Sequence, residues 1–322
     1  MDATPDEFHA PPPLPASVSI GGMPPAAAGP GVWQALGLLL LYFVLQVVIG
    51  GIIGIFVGFV LGIAHGFEHR GSGQAFRAAL ARPDAVAIIV IVSLVAAAGV
   101  MFRMVHWRWP RLWSQPRMPG LGFTRPSHAG YYGLALATGL LMPFIGDLLT
   151  QWLARGHAVP QDIRQLGGNA SLLLRVPLAL LVVSVGPLVE ELLFRGVLLS
   201  ALMTPRPDYP NHVATTRGRL AVHGCRRIRQ ALAERLGRLL PIDNLRRGRT
   251  LAAVLLSALI FGLVHLPSLH YLWFAVPDLV LLGTALAWLR LRSQSIWPSV
   301  IAHGVNNLLA VVAWFVTAHP PG

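Results

Sequence analysis

The 322 residues are 54% hydrophobic and only 12% charged, with a mean hydropathy of +0.61, which excludes an ordinary soluble domain. The apolar runs are too long for the strands of a membrane barrel, which alternate over about ten residues, so the chain reads as an all-α polytopic membrane protein. The net charge of +12 is not a nucleic-acid signature: all basic residues are arginine, and nearly all fall in loops between apolar runs.

Residues 1–31 are rich in Pro, Gly and Ala and contain no basic residue. They lack the positive start and short apolar core of a secretory signal and are expected to form a disordered tail. Seven spans follow, near 33–64, 84–105, 129–153, 172–202, 250–267, 271–289 and 297–317, and an eighth helix would fit. Each is long enough to cross roughly 30 Å of hydrocarbon, the fifth only just. The first span carries Gly50, Gly54, Gly58 and Gly62 on one face, a ladder that admits a close helix neighbour. The stretch "RWPRLWSQPRMPGLGF" (108–123) mixes Trp, Arg and Pro and suits the headgroup interface.

Between the fourth and fifth spans lies an arginine-rich insertion, 204–249. Its second half, "RRIRQALAERLGRLL" (226–240), has the pattern of an amphipathic helix on anionic headgroups; no base-stacking aromatics accompany the charge. The single cysteine, Cys225, lies here and excludes an internal disulfide. Loops 103–128, 204–249 and 290–296 hold 18 arginines, against five in loops 65–83 and 154–171. The positive-inside rule puts the first group in the cytoplasm, so the N-terminus is expected inside and the C-terminus outside.

Few strongly polar side chains fall within the spans, and each is costly there: roughly 2.5–3.5 kcal/mol for a charge at mid-membrane. The fourth span has Glu190, Glu191 and Arg195; the fifth has His265, four residues after Phe261; the seventh has His303, Asn306 and Asn307. Glu191 and Arg195 are one helical turn apart and pair with each other. Glu190, rotated by about 100°, is left to face a cavity. A carboxylate, two histidines and an asparagine on three helices are the parts of a hydrolytic site. Glu190, His265 and His303 would equally make a two-His-one-carboxylate zinc site, assembled across helices because no HExxH pair occurs. Spacing does not choose between these. Asp147 with Gln151, and Asp278, are expected to be structural or to line a cavity, and His270 to be incidental.

The motifs "EELLFR", "FGLVH" and "HGVNN" fit EExxxR, FxxxH and HxxxN. In that order on successive apolar helices, they resemble the CPBP family of CAAX proteases and bacteriocin-processing enzymes, also called Abi, which includes the type II CAAX prenyl endopeptidases. The resemblance covers roughly 172–318 and makes that stretch the catalytic membrane domain. Residues 32–171 match only in being membrane helices. It implies an intramembrane metalloendopeptidase, expected in the bacterial inner membrane, with a cavity opening toward the cytoplasm. Glu190 and His265 would activate water, His303 and Asn307 would stabilise the oxyanion, and Glu191, Arg195 and Phe261 would support the site. The substrate implied is a membrane-associated or lipidated peptide or protein. A metal-independent glutamate mechanism is also proposed for the family. One departure is the insertion of about 45 residues where members have a short linker.

The competing readings are a non-catalytic scaffold or immunity protein that keeps the motifs, and a small-solute transporter, against which no inverted repeat is visible. One tension is internal. Glu190 lies roughly 18 Å from the cytoplasmic end of its span and His303 only about 9 Å from its own, so the two meet only if a helix starts deeper, bends or tilts. Pro187 and Pro298 offer places for this.

Overall fold

The structure, a computed structural model, describes residues 29–64, 72–157, 159, 166–204 and 242–316. The proposed tail (to residue 28) and most of the arginine-rich insertion, with Cys225 and the 226–240 helix, lie outside the described residues. The described elements are all helical. Seven are long and apolar enough to cross a membrane: Val32–Val60, Pro83–Arg108, Gly130–Ala154, Leu172–Met203, Arg247–Val264, Trp273–Ser293 and Trp297–Val316. The protein is thus an integral membrane helical bundle.

The helices are α1 (Val32–Ala64), α2 (Ser72–Leu80), α3 (Pro83–Arg108) and α4 (Gly130–Ala154). The fourth span comprises α5 (Leu172–Val183), α6 (Val185–Glu191), a π-helical stretch (Leu192–Leu198) and α7 (Leu199–Met203). Then come α8 (Ile242–Val264), α9 (Val276–Ser293) and α10 (Trp297–Val316). The closest pairings are α10 with α4, α8 with α9, and α1 with α3. The fourth span runs through the middle, where Leu192, Leu193, Phe194 and Leu198 are fully buried against Met101, Phe261, Leu286 and Leu289. Outward faces carry exposed Val47, Phe56, Leu148 and Leu173, as lipid contact requires.

The glycine ladder packs inside the chain. Gly50 and Gly54 face Ile89 of α3, and Gly58 takes the ring of Phe76 from α2, a helix that composition did not announce. Gly62 falls outside the described side chains. The fifth span ends at Val264, so His265 sits in the turn after it, where the chain tightens to three-residue hydrogen bonds (His265 N to Gly262 O, Leu266 N to Leu263 O) ahead of Pro267, which has no N–H to continue the ladder.

Residues 109–128 form a cap across one end of the bundle. Ser127 N donates to Ser293 O (2.8 Å), Ile296 N to Gly122 O (2.9 Å) and Ser295 Oγ to Thr124 O (2.6 Å). The Arg290 guanidinium, 1% exposed, donates to Pro116 O (3.0 Å) and Gly120 O (2.6 Å). Gly122 has φ +81°, and a Cβ there would stand 2.6 Å from that guanidinium, so both conformation and space demand glycine. Because the cap fills this end, Ser293, Ser295 and Ile296 are fully buried and α10 begins one layer in. That removes the depth mismatch between Glu190 and His303. Pro298 merely occupies the first turn of α10, where its missing N–H costs nothing.

Candidate active site

The site is built around an interruption in the fourth span. Pro187 has no N–H, and its ring clashes with the carbonyl four residues back, that of Val183; the helix breaks at Ser184. The freed carbonyls find partners on α10. Asn307 Nδ2 donates to Val182 O (3.1 Å), and Val183 O packs onto Gly304, where a Cβ would lie only 2.4 Å away. Immediately beyond Glu191 the chain widens into the π-helical stretch, a local form found mostly at functional positions.

Glu191 and Arg195 are both fully buried and pair at 2.9 Å. Arg195 Nη2 also donates to Gly283 O (3.1 Å), and its guanidinium lies 4.5 Å from the centre of the Phe261 ring. The same Glu191 oxygen accepts from His303 Nδ1 at 3.0 Å. Because that oxygen is an acceptor already held by arginine, Nδ1 of His303 is the donor to it, and Nε2 is the ring nitrogen turned away from it. His265 is set by the same logic: its Nδ1 is 2.7 Å from Phe261 O, an acceptor only, so Nδ1 donates there and Nε2 is left facing Glu190. Phe261 is wedged between the two rings, 4.7 Å from His265 and 5.6 Å from His303.

Both free nitrogens point at Glu190. Its Oε2 lies 3.8 Å from His265 Nε2 and 3.9 Å from His303 Nε2, is buried, and has no hydrogen-bond partner among the described residues. A carboxylate oxygen and two imidazole nitrogens thus converge on one gap. Water, with two protons to give, matches that arrangement. Zinc matches it in donor type but not in spacing. Bonds of roughly 2.0–2.2 Å in a tetrahedron put ligand atoms roughly 3.4 Å apart, about half an ångström closer than seen here. Among the described residues no group of three His, Cys, Asp or Glu side chains has the spacing to hold a metal ion.

The gap lies in a cavity of about 660 Å³. Glu190, Phe261, His265, His303, Asn306 and Asn307 line it, whereas Glu191 and Arg195 sit behind the wall. Asp147 and Asp278 line it too, and Asp278 packs so tightly on Gly146 of α4 that a Cβ there would overlap its carboxylate. His270 is exposed at a left-handed turn position (φ 52°). The motifs did not announce two further polar lining residues, Tyr42 and Gln46 of α1. They are one turn apart in an otherwise apolar helix, and that i, i+4 pair was the available signal.

The cavity lies in the half of the bundle away from the cap. On the cap side Leu121, Phe194, Leu286, Leu289 and Ile296 are fully buried. Toward the opposite end the lining passes to half-buried Asp147, Ser268 and Asp278, near the ends of α4, α8 and α9 away from the cap. The arginine-rich loops are all at the cap end.

No curated protein and no solved structure matches the chain. A family model does match, over residues 172–309, which contain all three motifs and bring Glu190, His265 and His303 together. That model is described as type II CAAX prenyl endopeptidase Rce1-like, and the match of this region of the chain to it is consistent with the CPBP family.

Proposed function

We propose that the protein is an intramembrane endopeptidase in which Glu190 activates a water molecule against a peptide bond of a membrane-associated or lipidated protein or peptide. The observation that carries this reading is the buried Glu190 Oε2, without a hydrogen-bond partner among the described residues, facing the Nε2 atoms of His265 and His303. Water in that gap donates one proton to Glu190 and the other to an Nε2. As its oxygen bonds to the substrate carbonyl carbon, Glu190 takes up the first proton, then delivers it to the leaving nitrogen when the C–N bond breaks. His265 shares the role of base. His303 in its imidazolium form, charged by a proton from solvent before the attack, and the second N–H of Asn307 are donors for the oxyanion. Glu191, Arg195 and Phe261 hold the two imidazoles in place. The arginine-rich insertion is proposed to contact anionic headgroups.

The test is cleavage of a peptide library by purified protein. Glu190→Gln, which keeps size and removes the base, should lower turnover by about 10²–10⁴-fold with the fold unchanged. Equal cleavage by both proteins rejects the mechanism, and a biological role undisturbed by Glu190→Gln favours a scaffold. With a water activated by Glu190 alone, cleavage should survive a strong chelator. Loss on chelation, restored by added zinc, would assign Glu190, His265 and His303 to a metal instead.

A further inference from the structure

We infer that Gln46 of α1 binds the backbone of the substrate peptide in the Glu190 cavity, and that Tyr42 is the residue that positions Gln46. This rests on the peptidase reading and deepens it. An amide within a membrane helix is costly unless it faces protein or water, and its ordinary use is a bond to a neighbouring helix. Gln46 makes no such bond among the described residues; the side chain it pairs with is Tyr42, one turn earlier in the same helix. Nor does it face lipid. Val47 and Val48 take that side of α1, while Gln46 is half-buried and lines the cavity.

The polar groups around Glu190 are already committed. His303 Nδ1 is held by Glu191, His265 Nδ1 by Phe261 O and one N–H of Asn307 by Val182 O, while both Nε2 atoms face Glu190. These groups serve the reacting carbonyl. The peptide groups flanking it lose their water on entering the cavity and need partners of their own. A side-chain amide carries both an acceptor oxygen and N–H donors, so it matches the C=O and N–H of a peptide, whereas a carboxylate or a cation meets only one of them. Tyr42 is 2% exposed, its ring edge-on to Phe43 at 5.2 Å, so it acts on the substrate through Gln46. Glu190 is close enough for its charge to act on Tyr42, which puts the pair beside the reacting groups.

The test is peptide binding by full-length Glu190→Gln protein in detergent. The probes are fluorescent peptides of the cleavage library, each also made with single backbone amides replaced by esters, which removes one N–H at a time. Adding Gln46→Met, which keeps the length and suits an apolar helix, should weaken binding about tenfold with an unchanged thermal midpoint. Gln46→Asn, which keeps the amide but draws it back, should weaken it too and serves if the methionine variant fails to fold. At one backbone position the ester should weaken binding to the Glu190→Gln protein but not to its Gln46→Met form. Tyr42→Phe should weaken binding less, and add nothing once Gln46 is replaced. Equal affinities with and without Gln46, an ester effect that persists without it, or no peptide binding at all overturns the inference; an additive Tyr42→Phe overturns the positioning role. Binding needs no turnover, so failure of the peptidase reading shows separately, as wild-type protein that binds these peptides and does not cleave them.

Discussion

Adjacent glutamates of identical chemistry are given different work by 100° of helix rotation. Glu190 points into open volume with its side chain 20% accessible, while Glu191 is fully enclosed and joins Arg195 to His303. Their substitutions should therefore fail differently. Glu190→Ala removes a group facing a cavity and should leave the thermal midpoint in detergent close to that of wild type. Glu191→Ala strands a buried guanidinium and should destabilise by about 3–5 kcal/mol, read as a large fall in the midpoint. Equal midpoints for the two variants would contradict the division of roles. Arg195→Lys should not rescue, because a single ammonium is unable to reach Glu191 and Gly283 O while also lying over Phe261.

At the scale of elements, the join between the fourth span and α10 governs the site. Gly304→Ala would drive a methyl into the Val183 carbonyl and separate Glu190 from His303. It should cost about 1–3 kcal/mol of stability and reduce cleavage more than an alanine elsewhere on α10, such as Leu308→Ala on the lipid face. Equal effects of the two would show that this contact does not set the geometry. The spans themselves were legible in the sequence, since insertion demands long apolar runs, and so was the Glu191–Arg195 pair, since an intrahelical turn is local. The break at Ser184 was half legible: Pro187 announces a bend, but where the freed carbonyls go depends on Gly304 and Asn307, more than a hundred residues away. Sequence pattern alone did not predict the π-helical stretch. Tyr42 and Gln46 escaped because their value lies in what faces them, and α1 has no motif to say what that is.

The whole molecule is larger than the segment that carries its motifs. Residues 172–309 hold the three motifs, yet α1 and α4 supply Tyr42, Gln46, Pro143 and Asp147 to the cavity wall. A chain starting at residue 172 should lose cleavage even if it reaches the membrane, and co-production of residues 1–171 should restore it. Activity from the isolated segment would show that those walls are dispensable. The cap has a separate consequence, in the timing of biosynthesis. The Pro116 and Gly120 carbonyls are bound by a guanidinium 174 and 170 residues further along. At ribosomal rates of 5–20 residues per second, that arginine is made roughly 10–35 s after its partners. Until it arrives, the segment between the second and third spans has only itself, α3 and the fourth span to fold against, through Trp113, Phe123 and Met118. The cap end of the bundle is therefore among the last parts to close, once the sixth span is in place.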